Sequence, residues 1–161
     1  MTYEHLLLAS ILLYLIQILM FTNGVAHPRD RKSNATQPFI SVVIAARNEQ
    51  ANITKCLDSV LQQTYPKERY EVIVANDGST DETGAICEKY KALHSNISVF
   101  DVTEDPKLKG KTNALAQAID RSKGEILLIT DADCVVPETW TEGTAMRYES
   151  GVGIVGGMTL Q

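Results

Sequence analysis

Residues 125–133 read EILLITDAD, and this stretch decides the fold class. A short apolar run that follows a glycine and ends in acidic residues is typical of a strand buried inside a sheet. Similar runs occur upstream at 39–45 (FISVVIA), at 70–75 (YEVIVA) and, in shorter form, at 97–102. Segments with helical periodicity separate these runs. The alternation predicts an α/β fold made of βαβ units around a mostly parallel sheet.

Helices are predicted between the strands from apolar residues spaced three and four apart. The first helix buries a stripe made of Ile53, Cys56, Leu57, Val60 and Leu61. The second is predicted to begin at a capping box, in which Ser79 caps the helix and Glu82 reaches back to it. The remaining predicted elements are a helix at 112–122 with a left-handed stop at Gly124, a helix at 138–149 and a glycine-rich strand at 153–159.

The amino-terminal 25 residues differ from the rest of the chain in composition. Residues 6–21 (LLLASILLYLIQILMF) carry no charge, and about 20 apolar residues are enough to cross a hydrocarbon core. The sequence therefore predicts a transmembrane helix at 1–25 and a linker at 26–38. A cleavable signal peptide is one alternative, although no basic residue precedes the run. A buried helix of a soluble protein is the other, although a connector rich in Pro, Asn, Ser and charges follows.

Charges and cysteines bear on location and partners. Arg29, Arg31 and Lys32 follow the apolar run, so the positive-inside rule predicts a cytoplasmic domain at the plasma or inner membrane, with the amino terminus outside. The 161-residue chain has three widely spaced cysteines, which argues against a disulfide framework or a zinc site and fits a reducing compartment. Its formal net charge is −5 without a dense basic stretch, which argues against nucleic acid as a partner.

Two acids follow the strand at 125–130, where ligands bind in parallel sheets because strand ends meet there. Asp131 and Asp133 flank one small residue, and their like charges would repel each other without a cation. Mg²⁺ or Mn²⁺ suits hard carboxylate oxygens and fills its remaining positions with water and substrate phosphates. The alternative is that Asp133 only caps a turn, a position that aspartate favours.

The loops after the other strands and the start of the third helix add three candidate ligand-binding residues, each with an ordinary alternative. Asp77 can accept the imide N–H of a pyrimidine base, although Asn-Asp-Gly-Ser is also a common turn. Glu49 can accept from ribose hydroxyls, or it can be a solvated residue of a first helical turn. Lys111 can place a cation against a diphosphate, or it can be an exposed lysine.

Four segments, in this order and spacing, resemble the family 2 glycosyltransferases of the GT-A fold: VVIAARNE (42–49), EVIVANDGSTDET (71–83), KGKTNALAQAI (109–119) and ILLITDADCVVP (126–137). The resemblance covers about 39–160, and the leading apolar helix resembles the membrane-bound synthases of that family. It implies that Asp77 binds uracil, that Lys111 lies at the diphosphate, and that Asp131 and Asp133 form the Asp-x-Asp motif, whose second acid is the usual metal ligand. The loop residues that it implies for the nucleoside are Ala45, Arg47 and Glu49.

The resemblance further implies transfer of a sugar, with inversion, from a nucleotide diphosphate sugar, expected to be a UDP-sugar, to a saccharide or lipid acceptor. The family's general base and its Gln-x-x-Arg-Trp motif lie beyond the Asp-x-Asp motif, and only 28 residues follow Asp133. We therefore assign no catalytic residue and expect 39–161 to be the donor-binding part, inactive alone. One alternative is a noncatalytic nucleotide-binding or assembly module. The other, a dinucleotide-binding Rossmann domain, lacks its glycine-rich fingerprint after the first strand.

Overall fold

The computed structural model describes residues 3–26, 37–148 and 153. These residues fall into two units, Met1–Lys32 and Ser33–Gln161. The first unit contains helix α1 (Tyr3–Ala26). Its segment Tyr3–Thr22 is long and apolar enough to cross a membrane, and its residues are unburied. The hydroxyls of Ser10 and Thr22 donate to carbonyls of their own helix, so neither is left unpaired in an apolar environment.

The second unit is an α/β layer structure, as predicted. Its elements are β1 (Ile40–Ala46), α2 (Ile53–Leu61), a 3₁₀ turn (Lys67–Arg69), β2 (Tyr70–Asn76), α3 (Thr83–Leu93), β3 (Ile97–Asp101), α4 (Gly110–Asp120), β4 (Ile126–Asp131) and α5 (Trp140–Ala145). The four strands are parallel in the order β3-β2-β1-β4. The chain therefore builds outward from β1 to β3 and then returns to place β4 on the other side of β1. Such a reversal opens a crevice between neighbouring strand ends.

Both faces of the central strands are covered, which is why these strands are apolar along their whole length. Val42 and Ile44 of β1 are fully buried on the side of α2 and α3. Val43, between them in sequence, is fully buried on the opposite side, against Ala114 and Ala118 of α4. The two small alanines let this helix lie close to the sheet.

The predicted capping box of α3 is wrong. The helix begins at Thr83, and its N-cap residue Glu82 makes no side-chain cap hydrogen bond. The hydroxyl of Ser79 instead accepts from the amide of Asn48 at 3.1 Å, and Asp81 Oδ1 accepts from the Thr83 amide at 3.0 Å. An amide of the neighbouring β1–α2 loop thus donates to the Ser79 hydroxyl, so this hydroxyl does not cap α3.

The predicted left-handed stop at Gly124 is also wrong. Among the described glycines, only Gly78 and Gly110 have positive φ. Gly124 is required for a different reason: a Cβ there would overlap the backbone of Ser41 and lie 2.8 Å from the carbonyl oxygen of Ile126. Its amide donates to Ser41 Oγ at 2.8 Å. The glycine therefore lets the chain enter β4 in close contact with the start of β1.

The predicted helix at 138–149 is shorter than expected. Trp140 donates its amide to the Pro137 carbonyl at 2.9 Å in a turn, and α5 ends at Ala145. The predicted last strand at 153–159 lies, apart from Gly153, outside the described residues.

Candidate functional site

A cavity of about 290 Å³ lies at the carboxyl edge of the sheet, between the ends of β1, β2 and β4 and the start of α4. The strand register aligns this edge, since Ala46 pairs with Asn76 and Ala45 with Asp131. The structure thus brings together all seven residues singled out from the sequence and adds three small ones. The lining residues are Ala45, Ala46, Arg47, Glu49, Asp77, Gly110, Lys111, Asp131, Ala132 and Asp133.

The three added residues are small residues next to the charged ones, a pattern that the sequence analysis did not use. Ala46 and Ala132 are almost fully buried, and Gly110 has a φ of 52° at the start of α4. Each stands directly beside a charged residue of the site. Small residues at these positions leave the space that the cavity occupies.

One side of the cavity carries Asp77 and Arg47. The Asp77 carboxylate lies 3.6 Å from the Arg47 guanidinium, and the two side chains are 19% and 64% exposed. The amide of Asp77 donates to the carbonyl of Ala46 at 2.9 Å, which ties the end of β2 to the end of β1. The aspartate is therefore held inward, while the arginine side chain is largely exposed to solvent.

Glu49 lies on the same side and is partly committed to its own loop. Its Oε2 accepts from the Asn52 side-chain amide at 2.9 Å, and its backbone amide donates to Thr83 Oγ1 at 2.8 Å. These contacts orient the side chain and leave acceptor capacity on the carboxylate for a ligand hydroxyl.

The other side of the cavity carries the two acids after β4. Asp131 accepts from Lys111 Nζ at 2.5 Å, with both side chains about half exposed. Ala132 is buried and fixes the chain between the acids, while the Asp133 side chain is exposed. The described residues form no ion pair with Asp133, and its carboxylate accepts from the Cys134 thiol at 3.6 Å.

A buried thiol donates a hydrogen bond to the backbone of this acidic turn. Cys56 Sγ donates to the Asp131 carbonyl at 3.4 Å, and the Cys134 amide donates to the same oxygen at 3.2 Å. Burial raises the pKa of the Cys56 thiol to about 12, with Cys134 and the two nearby carboxylates adding to the effect. The thiol therefore remains protonated at neutral pH and keeps its role as a donor. All three cysteines are free thiols.

The donor atoms at the turn fit a divalent cation that is only partly held by protein. Within residues 3–26, 37–148 and 153, no group of three or more His, Cys, Asp or Glu side chains converges on one point. Asp131 and Asp133 supply hard oxygen ligands from one strand end. Mg²⁺ and Mn²⁺ are commonly held by one or two carboxylates, with water and phosphate completing the coordination.

A larger cavity, of about 540 Å³, lies at the opposite edge of the sheet, around Tyr70, His94 and Lys123. One of its two lining carboxylates, that of Glu71, already accepts from the Ser41 hydroxyl and the Lys123 amide, at 2.7 and 2.8 Å. This cavity has the larger volume, but the smaller cavity has converging charges at the carboxyl ends of parallel strands. The smaller cavity is therefore the better candidate for a ligand-binding site.

Comparison with known proteins gives a consistent family. The model of glycosyl transferase family 2 matches residues 41–160. The chain is 40% identical over 124 residues to the glycosyltransferase AglE of Haloferax volcanii, which covers 76% of this chain and 40% of that protein. The chain thus spans well under two thirds of this relative's length.

Two solved structures resemble the chain as well. The mannosyltransferase PcManGT from Pyrobaculum calidifontis, in complex with GDP-Man and Mn²⁺, matches with a TM-score of 0.72 and 26% identity over 86% of this chain and 41% of that one. Residues 1–349 of S. aureus TarS, in complex with UDP-GlcNAc, match with a TM-score of 0.58 and 31% identity over 66% and 30%.

Proposed function

The chain belongs to glycosyl transferase family 2, and we propose that its cavity binds the UDP-sugar donor of a metal-dependent glycosyltransferase. One observation carries the proposal: a single cavity has Asp77 on one side and the Asp131–Asp133 turn with Lys111 on the other. A nucleotide diphosphate has the matching division, with a hydrogen-bonding base at one end and two anionic phosphates at the other. The TarS and PcManGT structures hold such donors, UDP-GlcNAc and GDP-Man.

In this proposal, the nucleoside lies on the Asp77 side. The carboxylate of Asp77 accepts the imide N–H of uracil, and its low exposure strengthens that hydrogen bond because little water competes. The Arg47 guanidinium gives up its contact with the Asp77 carboxylate and lies over the base. Glu49 accepts from the ribose hydroxyls. Ala45 allows the base or ribose to approach the end of β1.

The diphosphate lies on the other side. Lys111 exchanges its contact with Asp131 for the diphosphate and so places a cation against the phosphates. Asp131 and Asp133 would hold Mg²⁺ or Mn²⁺, which when bound supplies Lewis-acid stabilisation of the departing diphosphate. The PcManGT complex, which contains Mn²⁺, supports this assignment.

The reaction proposed for the whole protein is transfer with inversion to a saccharide or lipid acceptor. An acceptor hydroxyl attacks the anomeric carbon in line, the bond from that carbon to the diphosphate oxygen breaks, and the hydroxyl proton passes to a general base. The acids of the cavity are used for the donor in this proposal. No described residue is therefore assigned as the base.

The first test is UDP binding to the purified chain in detergent, measured by calorimetry with Mn²⁺ or with EDTA. We expect UDP to bind and its affinity to rise at least about tenfold with Mn²⁺, about 1.4 kcal/mol, because the cation offsets repulsion between the carboxylates and the diphosphate. Adenosine diphosphate is the control for base recognition, since its base lacks the imide N–H. Absence of UDP binding under both conditions would refute the proposed function.

We further propose that residues 1–25 anchor the protein in the plasma or inner membrane, that 26–38 form a linker, and that the domain from 39 onward is cytoplasmic. The support is the unburied apolar segment Tyr3–Thr22, followed by Arg29, Arg31 and Lys32. A cytoplasmic domain has direct access to nucleotide sugars made in the cytosol.

Reporter fusions test this topology. A fluorescent or enzymatic reporter that works only in the cytoplasm, joined after Gln161, is expected to be active. A reporter that works only outside the membrane is expected to be silent at the same position. The opposite pattern would overturn the topology, and replacing all three of Arg29, Arg31 and Lys32 by glutamine is expected to weaken the bias.

A further inference from the structure

The backbone of Asn48 is unusual and lies beside the proposed donor site. Its φ is 56°, the only positive value at a non-glycine residue among those that the structure describes. The left-handed region is unfavourable for residues with a Cβ, and asparagine is among the few that tolerate it. A strained residue persists where its surroundings hold it in place, and such residues concentrate at functional sites.

The surroundings that hold Asn48 belong to the neighbouring loop. Its amide donates to Ser79 Oγ at 3.1 Å. Its Oδ1 accepts from the amide of Thr80 at 2.8 Å and from the Thr80 hydroxyl at 3.3 Å. One side chain and one amide thus make three hydrogen bonds to two consecutive residues across a separation of about thirty positions in the chain.

Three more hydrogen bonds join the β1–α2 loop (residues 47–52) to residues 81–83, and we call the whole set of bonds between the β1–α2 and β2–α3 loops the seam. The amides of Glu49 and Gln50 donate to Thr83 Oγ1 and Asp81 Oδ2, at 2.8 and 3.2 Å. The side-chain oxygen of Gln50 accepts from the amide of Glu82 at 3.1 Å. The β1–α2 loop and the β2–α3 loop are therefore joined by six hydrogen bonds, of which three involve Asn48.

This seam joins the two loops that the proposed nucleoside has to contact. Arg47 and Glu49 precede and follow Asn48, while Asp77 lies two residues before Ser79. Asn48 does not itself line the cavity. The Asp131–Asp133 turn lies on the far side of β1 and takes no part in the six hydrogen bonds. Loosening the seam would therefore affect the nucleoside side of the cavity and spare the diphosphate side.

We propose that Asn48 is a positioning residue that locks the two loops together and so holds the backbone of Arg47 and Glu49 in a fixed position relative to Asp77, on the side of the cavity that takes the nucleoside. It acts from a left-handed backbone conformation that aims its amide and its side-chain oxygen at one loop. The nucleoside part of this inference rests on the proposed function, whereas the lock between the loops does not.

The test compares two ligands on the full chain in detergent, by calorimetry in the presence of Mn²⁺. UDP needs both sides of the cavity, while inorganic pyrophosphate needs only the diphosphate side. We expect Asn48→Ala and Asn48→Gly to weaken UDP binding about tenfold to a hundredfold, the range for lost orientation of a hydrogen bond to a charged group. Pyrophosphate affinity is expected to stay within about twofold of wild type.

The Asn48→Gly variant and two further variants make the test specific. Asn48→Gly keeps the backbone freedom but loses the acceptor, so weakening of UDP binding in this variant assigns the effect to the side chain. Asn48→Asp keeps the acceptor and is expected to restore most of the affinity, and Ser79→Ala is expected to weaken UDP binding in the same direction, by less. Unchanged UDP binding in Asn48→Ala and Asn48→Gly, or equal loss of UDP and pyrophosphate, would overturn the proposal.

Hydrogen exchange separates this proposal from the proposed function. In Asn48→Ala, the amides of Thr80 and Glu82 are expected to exchange faster while core amides such as that of Val72 do not. If wild type binds no UDP, the proposed function fails, and faster exchange at Thr80 and Glu82 still supports the lock. Unchanged exchange at both amides would overturn the lock, whatever the ligand data.

Discussion

Replacing Asp133 by alanine is expected to remove the metal dependence of UDP binding. Before the donor binds, Asp131 is paired with Lys111 at 2.5 Å, whereas Asp133 has no ion pair among the described residues, lines the cavity and is exposed, so its carboxylate is available to a cation at once. The loss of its carboxylate should therefore lower UDP affinity in Mn²⁺ about tenfold to a hundredfold, roughly 1.4 to 2.7 kcal/mol. Calorimetry with UDP, at fixed Mn²⁺ and then in EDTA, measures both affinities.

The UDP affinity of the variant in EDTA, relative to wild type, gives a second expected result. Without a cation, the Asp133 carboxylate repels the diphosphate, so the alanine variant should bind UDP in EDTA as well as wild type or better. Asp120→Ala is the matched control, because it removes an exposed carboxylate outside the cavity and changes the net charge equally. A variant at Asp133 that still gains affinity from Mn²⁺ as wild type does would show that the metal role is assigned to the wrong residue.

The charged residues that follow the strands around the cavity were predictable from the sequence because topology determines where strand ends meet. An apolar run followed by charged residues marks the end of a buried parallel strand, and parallel strands end at one edge. That rule brought Asp77 and Asp131 together without knowledge of strand order. The order itself, with β4 beside β1, depends on packing between distant segments and had no local signal.

The features that the sequence did not reveal depend on competition between loops. Ser79 and Glu82 fit a capping box by spacing, but spacing does not include Asn48 and Gln50, which take the Ser79 hydroxyl and the Glu82 amide. Asn48 lies within the segment VVIAARNE (42–49), but nothing in that segment indicates a left-handed backbone or the partners of its side chain. Its backbone conformation and its partners become visible only in three dimensions.

Gly124→Ala is expected to have the largest effect on stability. The new Cβ would meet the backbone of Ser41 and Ile40 and the carbonyl of Ile126, and these atoms are fixed by the pairing of β1 with β4. Backbone cannot turn aside as a flexible side chain can, so overpacking should cost about 3 kcal/mol or more. That is a large part of the 5–15 kcal/mol, roughly, that stabilises an ordinary domain.

Urea unfolding followed by tryptophan fluorescence measures this cost, because Trp140 is the one tryptophan of the chain and packs against the core of the second unit. Gly143→Ala is the matched control: its Cβ would meet only the flexible end of Arg147, at 3.3 Å, and alanine is the better helix former, so stability should be unchanged or higher by up to about 1 kcal/mol.

The size of the stability loss in Gly124→Ala also decides between two reasons for a glycine at this position. A left-handed stop would make alanine cost only about 1 to 2 kcal/mol, whereas close backbone approach requires more. A loss for Gly124→Ala of about 2 kcal/mol or less would therefore contradict the close approach.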